Sequence, residues 1–292
     1  MPDAIAQLEP ILLIAPDGML GRAWRELLDA QSLAYRTAHR PDFDLANSDT
    51  LDAHLTSDLG TVINCAAYTN VDAAEQHEAD AMQINGHAVG RLAQRCKAVN
   101  ATLVHYSTDY VFNGQAAAPY TTDQPRDPVN AYGRTKAQGE LLIEQAGCDH
   151  LLIRTSWLYA PWGNNFVRTM ARLTAEKPAL RVVDDQRGRP TSCEHLAAAS
   201  LALLRQNARG TFHVTDGGEC TWCQFTQAIN RQLGHACDVQ PCTTADFPRP
   251  AKRPAYSVLD LTRAEALIGP MPNWQDNLAA VLPRLEEQEI RA

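Results

Sequence analysis

Short apolar runs and amphipathic stretches alternate along the first half of the chain. Ile11-Leu12-Leu13-Ile14-Ala15 is apolar at every position, as in a strand buried on both faces. Leu20 to Leu28 then carries its apolar residues at helical spacing. The same reading predicts a strand near Ala34 to Ala38, a helix over Leu51 to Leu55 and a strand over Thr61 to Cys65. A helix around Ala79 to Val99 follows, then a strand at Leu103 to Tyr106, a helix carrying Tyr132 and Lys136, and the strand Leu151 to Arg154. Such alternation predicts an α/β fold with a parallel sheet covered on both faces.

The second half is less regular. Prolines at 241, 248, 250, 254, 270 and 272 interrupt it, so it reads as a smaller lobe of helices and short strands. An amphipathic helix is predicted over Trp274 to Glu287. No internal repeat or low-complexity tract interrupts this plan.

A chain of 292 residues can bury a full core, and a net charge of -8 with both signs interspersed lacks the basic face that nucleic acid requires. Small-molecule chemistry is the better fit. Ile11 to Ala15 is far too short to span a bilayer, and no basic segment with a cleavage site marks export, so a cytoplasmic location is expected. The eight cysteines are scattered and are expected as free thiols. Cys220-Thr221-Trp222-Cys223, with Cys237 and Cys242, loosely resembles a zinc or redox arrangement, but the second pair has the wrong spacing. Thr221 reads instead as the cap of a helix running to Leu233, and the thiols as buried apolar groups; no metal site is expected.

Chemistry concentrates in Tyr132-Gly133-Arg134-Thr135-Lys136. A tyrosine and a lysine four apart in a helix project from one face. A phenol titrates near pH ~10, and a nearby ammonium is expected to lower that value by stabilising the phenolate, which makes the pair a proton donor. Asn130 offers the cap of this helix and Gly147 its stop. The strand ending in Ser107-Thr108-Asp109 delivers Thr108 to the carboxyl end of the sheet, where it would share a substrate oxygen with Tyr132.

The turn after the first strand, Ala15-Pro16-Asp17-Gly18-Met19-Leu20-Gly21, has the place and spacing of a dinucleotide-binding loop that meets a pyrophosphate at a helix N-terminus. Its first glycine is replaced by Ala15, which fits if its dihedrals are ordinary. Beyond the second strand, Arg40 is placed to meet a 2′-phosphate, favouring NADPH, and Asp44-Leu45 to reach the adenine. The fold expected is therefore a Rossmann-type doubly wound sheet. Residues 1–155 form its dinucleotide-binding domain, about 181–215 partly return to it, and 156–292 are mainly a substrate-binding lobe.

Several segments carry a resemblance. They are Val62-Ile63-Asn64-Cys65-Ala66-Ala67-Tyr68-Thr69 with Val71-Asp72, then His105 to Phe112, then Asn130 to Lys136. Further on come Arg154-Thr155-Ser156-Trp157, Gly163 to Phe166, Asp185-Gln186, and Arg253-Pro254 with Ser257. Over nearly its whole length the chain resembles the extended short-chain dehydrogenase/reductases, and within them the dTDP-4-dehydrorhamnose reductase branch. It departs from that pattern at Ala15 and near Thr122 and Gln124.

The resemblance implies Thr108, Tyr132 and Lys136 as the catalytic set, with Lys136 also holding the nicotinamide ribose. It implies a cofactor site of Asp17, Gly18, Met19, Leu20, Arg40, Asp44, Leu45, Ala66, Ala67 and Tyr68, with Asn64 nearby and Asn85 beneath. Thr69, Asp109, Tyr110, Trp157, Asn165, Gln186 and Arg253 would meet the sugar nucleotide, Arg253 at its diphosphate. The activity implied is NAD(P)H-dependent reduction of the C4 ketone of a dTDP-linked 6-deoxy-4-keto sugar, giving dTDP-L-rhamnose. NADPH is the cofactor favoured, with NADH the alternative. Some members use Mg2+ at a dimer interface, so a homodimer and that ion accompany the resemblance. Two rivals share the scaffold: a nucleotide-sugar epimerase, and a non-catalytic regulatory subunit like the methionine adenosyltransferase β subunit. A dehydratase would carry a second acid where Tyr110 follows Asp109.

Overall fold

The computed structural model describes residues 8–285. Its centre is one six-stranded parallel sheet built from β1 (Ile11–Ile14), β2 (Tyr35–Ala38), β3 (Thr61–Asn64), β4 (Thr102–Thr108), β5 (His150–Thr155) and β6 (Gly210–His213). The strands lie in the order β6-β5-β4-β3-β1-β2. Each crossover between sequential parallel neighbours contains at least one helix, as parallel pairing demands.

The apolar runs of the strands follow from two-sided burial. Ile11, Leu13, Ile63, Val104, Leu151 and Ile153 join one core with α1 (Met19–Ala30) and a helix at Cys193–Arg205. Leu12, Ile14, Val62, Leu103 and Leu152 point the other way and pack on α2 (Ala88–Val99). Successive side chains alternate between two apolar layers, so no position can be polar without cost. Each fully buried Leu or Ile contributes roughly 1.5–3 kcal/mol.

Helix limits differ from the sequence reading in two places. The helix expected over Ala79 to Val99 is broken into Glu78–Met82, a π-helical turn Gln83–His87 and α2. The turn places Asn85 where its side chain is fully occupied by the Tyr68 backbone and Thr135. The last helix, expected to reach Glu287, ends at Val281 with one further turn, Leu282–Arg284; Glu286 and Glu287 lie outside the described residues.

The segment 181–215 divides. Ala179–Val183 pairs in parallel with Asp238–Cys242 away from the main sheet, whereas Cys193–Arg205 and β6 return to it. Helix α3 (Ala131–Ala146) packs on α2, whereas the helices Phe166–Glu176, Trp222–Gln232 and Trp274–Val281 gather around Phe225. This ring stacks at 5.7 Å on Phe166 and meets Trp274 edge-on at 5.4 Å, giving the smaller lobe its own core. Among the described residues no helix is long and apolar enough to cross a membrane.

Candidate active site

The direction of strand order reverses between β1 and β3, and the chain ends of those strands leave a crevice there. A cleft of about 920 Å³ occupies it, running from the β1 loop across the ends of β3 and β4 to the smaller lobe. Sixteen residues expected at the site line this cleft: Asp17, Gly18, Met19, Leu20, Arg40, Asp44, Leu45, Ala66, Ala67, Thr69, Thr108, Asp109, Tyr110, Tyr132, Lys136 and Trp157.

The β1 loop is built for close backbone approach. A Cβ on Gly21 would stand 2.0 Å from the Ala15 carbonyl oxygen, so α1 can begin only with glycine there. No side chain caps α1, whose N-cap is Gly18, which leaves its first amides for an anionic group. Ala15 corrects one expectation: its φ is +59°, in the left-handed region, where the missing glycine would sit without strain. Farther along, Arg40 is exposed and pairs at 3.2 Å with Asp44, whose other oxygen accepts from Ala46 N–H. Asp17 pairs with Arg25 and His39.

The reacting groups converge from two elements. Asn130 accepts from Gly133 N–H and starts α3; Gly147, with φ +62°, ends it. Residues 132, 136 and 140 then share a face. Lys136 is 2% exposed, and its Nζ donates to the Tyr106 carbonyl at 2.6 Å. Burial lowers its ammonium to about 8, and the Glu140 carboxylate four residues on opposes that shift. Glu140 is itself bound by Arg154 at 2.7 Å and Arg126 at 3.1 Å. His105 lies 3.4 Å from Lys136 Nζ, and burial followed by the lysine's charge holds its imidazole neutral.

Tyr132 is half-buried and opens on the cleft, with the Tyr110 ring edge-on at 6.2 Å. Its phenol is not lowered, contrary to the expectation from Lys136. Burial and then the Asp109 carboxylate raise it, and a hydrogen bond with Thr108 offsets part of the rise. Asp109 is 2% exposed, and burial lifts its carboxyl to about 6 against the pull of the Ser257 and Thr108 hydroxyls.

Aromatic rings close the far wall. Trp157 takes a left-handed φ of +50°, rests on Gly188, and stacks on Trp222 at 3.5 Å and 12°. Trp222 lines the cleft and was missed by sequence reasoning, because its segment drew attention to its cysteines. Ser107 also lines it with a buried hydroxyl that has no hydrogen-bond partner; the strand reading reached this residue but assigned it no role.

Four expected residues stand off the cleft wall. Tyr68 packs beside Tyr132 on the Ala74, Ala81 and Ala131 cluster, its backbone held by Asn85. Asn165 caps the helix Phe166–Glu176 and donates to the Ala160 and Trp162 carbonyls. Gln186 donates to Thr244 at 2.9 Å. Arg253 is bound to both carboxylate oxygens of Asp72, at 2.7 and 2.9 Å, so its guanidinium is engaged within the fold.

Cys220, Cys223, Cys237 and Cys242 are free and buried, and Thr221 makes a capping box with Gln224 at the helix Trp222–Gln232. Among the described residues no group of three or more His, Cys, Asp or Glu could hold a metal ion.

The geometry has known counterparts. Residues 9–287 match the family described as the RmlD substrate binding domain. A dTDP-4-dehydrorhamnose reductase of Streptomyces griseus is 39% identical over 283 residues, 94% of this chain and 93% of that protein. The crystal structure of a Clostridium acetobutylicum dTDP-4-dehydrorhamnose reductase superposes with a TM-score of 0.90 at 37% identity, covering 95% of this chain and 99% of that one. The Bacillus anthracis enzyme of that name, solved in complex with NADP, gives 0.89 at 32% identity over 94% of this chain and 98% of that one.

Proposed function

We propose a reductase of nucleotide-sugar ketones: the chain belongs to the RmlD substrate binding domain family, and its cleft gathers a tyrosine, a lysine and a threonine beside a dinucleotide loop. It is an NAD(P)-dependent oxidoreductase. Its reaction is reduction of the C4 ketone of dTDP-4-dehydro-6-deoxy-L-mannose to dTDP-L-rhamnose. The residues present fit the cofactor: the cradle at Gly21, the uncapped start of α1, and the unpartnered Ser107 hydroxyl facing the cleft.

The nicotinamide cofactor, when bound, supplies the hydride. Tyr132 gives its proton to the sugar oxygen as negative charge develops there, and Thr108 holds that oxygen in register. Lys136, charged below a pH of about 8, stabilises the phenolate left behind and binds the ribose hydroxyls. Arg40 leaves Asp44 for a 2′-phosphate, which makes NADPH the better cofactor. Trp157 and Tyr110 offer aromatic faces to the apolar side of the deoxy sugar, and the lobe beyond residue 156 holds the nucleotide.

One observation carries the reading: Tyr132, Thr108 and Lys136 line one cleft, with Tyr132 and Lys136 on the same face of α3. The test supplies dTDP-4-keto-6-deoxyglucose, a 3,5-epimerase, and NADPH or NADH, and follows nicotinamide absorbance. Substrate-dependent loss is expected, faster with NADPH. Tyr132→Phe should slow it by about 100-fold or more while still binding NADPH. No loss with either cofactor sinks the reading.

A further inference from the structure

Thr108 sits at a branch in the hydrogen bonding. Its hydroxyl has one proton and two lone pairs. Tyr110 N–H donates to its Oγ1 at 3.1 Å, and Oγ1 donates its own proton to Asp109 Oδ1 at 2.9 Å. Tyr132 lines the same cleft beside it, and the Thr108 hydroxyl pulls the phenol's titration down. While Asp109 is ionised, Thr108 therefore has no proton to offer a substrate oxygen or a tyrosinate. If Asp109 is protonated the direction reverses, and Asp109 donates to Thr108, which donates onward.

The far oxygen of Asp109 favours that second state. Oδ2 is buried and has no hydrogen-bond partner, so nothing at that oxygen stabilises the ionised carboxylate, and a proton on the group belongs on Oδ1, facing Thr108. The carboxyl's rise to about 6 brings the protonated form within reach of neutral pH. The titratable groups that face it are Tyr110 on its own segment and Tyr132 from α3, both held neutral because their phenols are raised. From the late segment, Ser257 lies beside it, and Arg253 stands near Tyr110, already paired with Asp72. No cation neutralises Asp109 through an ion pair among the described residues. A tyrosinate formed one hydroxyl away would thus meet a second buried anion, which a low-dielectric site penalises heavily.

Resting on the reductase reading above, we propose that Asp109 is the proton reservoir behind Tyr132, recharging the tyrosinate through Thr108. The Asp109 O–H bond breaks as a Thr108 O–H bond forms, and the original Thr108 O–H breaks as the Tyr132 O–H forms. The negative charge passes from phenolate to carboxylate. After the product leaves, cleft water gives a proton to the Thr108 oxygen as Thr108 passes its own to Asp109 Oδ1, which restores the carboxyl. Asp109 acts through Thr108 and is a positioning and proton-holding residue; the sugar itself meets Thr108 and Tyr132.

The test uses the full chain with NADP bound. Infrared difference spectra across a pH titration should show a protonated-carboxyl band disappearing with a midpoint near 6, absent in Asp109→Asn. That measurement needs no substrate, so it judges Asp109 even if the sugar assignment fails, whereas absence of wild-type turnover would remove only the reductase reading. In the assay, Asp109→Asn should lose about tenfold or more of kcat at neutral pH with NADPH affinity retained. The wild-type decline of kcat as pH rises past the Asp109 titration should vanish in that variant. Ser257→Ala removes a hydroxyl that pulls the carboxyl down and should move the same decline to higher pH. Identical carboxyl bands in wild type and Asp109→Asn, or an unchanged kcat and pH profile in Asp109→Asn, overturn the proposal; so does a Ser257→Ala profile that does not move.

Discussion

Ala15 shows how much a single position can hide. Its place in the loop was legible from strand, helix and spacing, but its conformation was not, because φ is imposed by residues that approach in three dimensions. Gly18 N–H turns back to the Ala15 carbonyl at 3.4 Å, and Gly21 presses against the same oxygen. The chain therefore holds an alanine at φ +59°, at a cost of about 1–2 kcal/mol. Ala15→Gly should relieve that strain, partly offset by the entropy glycine adds to the unfolded chain. The net expectation is a gain of about 0.5–1 kcal/mol, read as a rise in Tm by a degree or two, with kcat unchanged. A fall in Tm would show that the loop is not strained. The phenol of Tyr132 teaches the same lesson. Sequence spacing set Lys136 on its face, yet Asp109 and burial, which depend on how β4 ends beside α3, decide its direction of shift.

At the scale of elements, α3 was the most readable part of the site. Its cap, its stop and the four-residue spacing of Tyr132 and Lys136 all stand in the sequence, and local hydrogen bonds make them real. What the sequence did not disclose is how tightly the helix is seated. A Cβ on Gly133 would lie 2.1 Å from the Tyr110 carbonyl oxygen, so the helix start rests on the backbone that follows Thr108 and Asp109. Gly133→Ala should push these segments apart, and with them Tyr132 from Thr108. A stability loss of about 1–3 kcal/mol is expected from such overpacking, measured by denaturant titration. A misplacement near 1 Å costs on the order of 100-fold in rate, so kcat should fall far more than the retained folded fraction explains. Equal, proportionate losses would assign Gly133 to stability alone. The π-helical turn before α2 was illegible for a related reason. Its one extra residue leaves the apolar spacing almost intact, while Asn85 bonds to the Tyr68 backbone and Thr135 only across elements.

For the whole molecule, alternation of apolar runs was enough to read a parallel sheet, since each of the four inner strands must satisfy two cores at once. The smaller lobe was less readable because its order comes from aromatic contacts between distant segments. Trp157 leaves the end of β5, whereas Trp222 begins a helix sixty-five residues later, and only folding stacks them at 3.5 Å. That stack joins the sheet side of the cleft to the lobe, so it should govern the sugar nucleotide more than the dinucleotide, whose loop lies at β1. An aromatic pair contributes about 0.5–1.5 kcal/mol beyond its buried area. Trp222→Ala should therefore raise KM for the dTDP sugar about 3- to 10-fold and leave NADPH affinity within about twofold, while the coupled tryptophan signal in circular dichroism disappears. The inference fails if the signal is lost but KM is unchanged, because the wall would then touch no substrate. It fails differently if KM and NADPH affinity worsen together, because the indole would then be holding both halves of the cleft in place rather than meeting the sugar nucleotide.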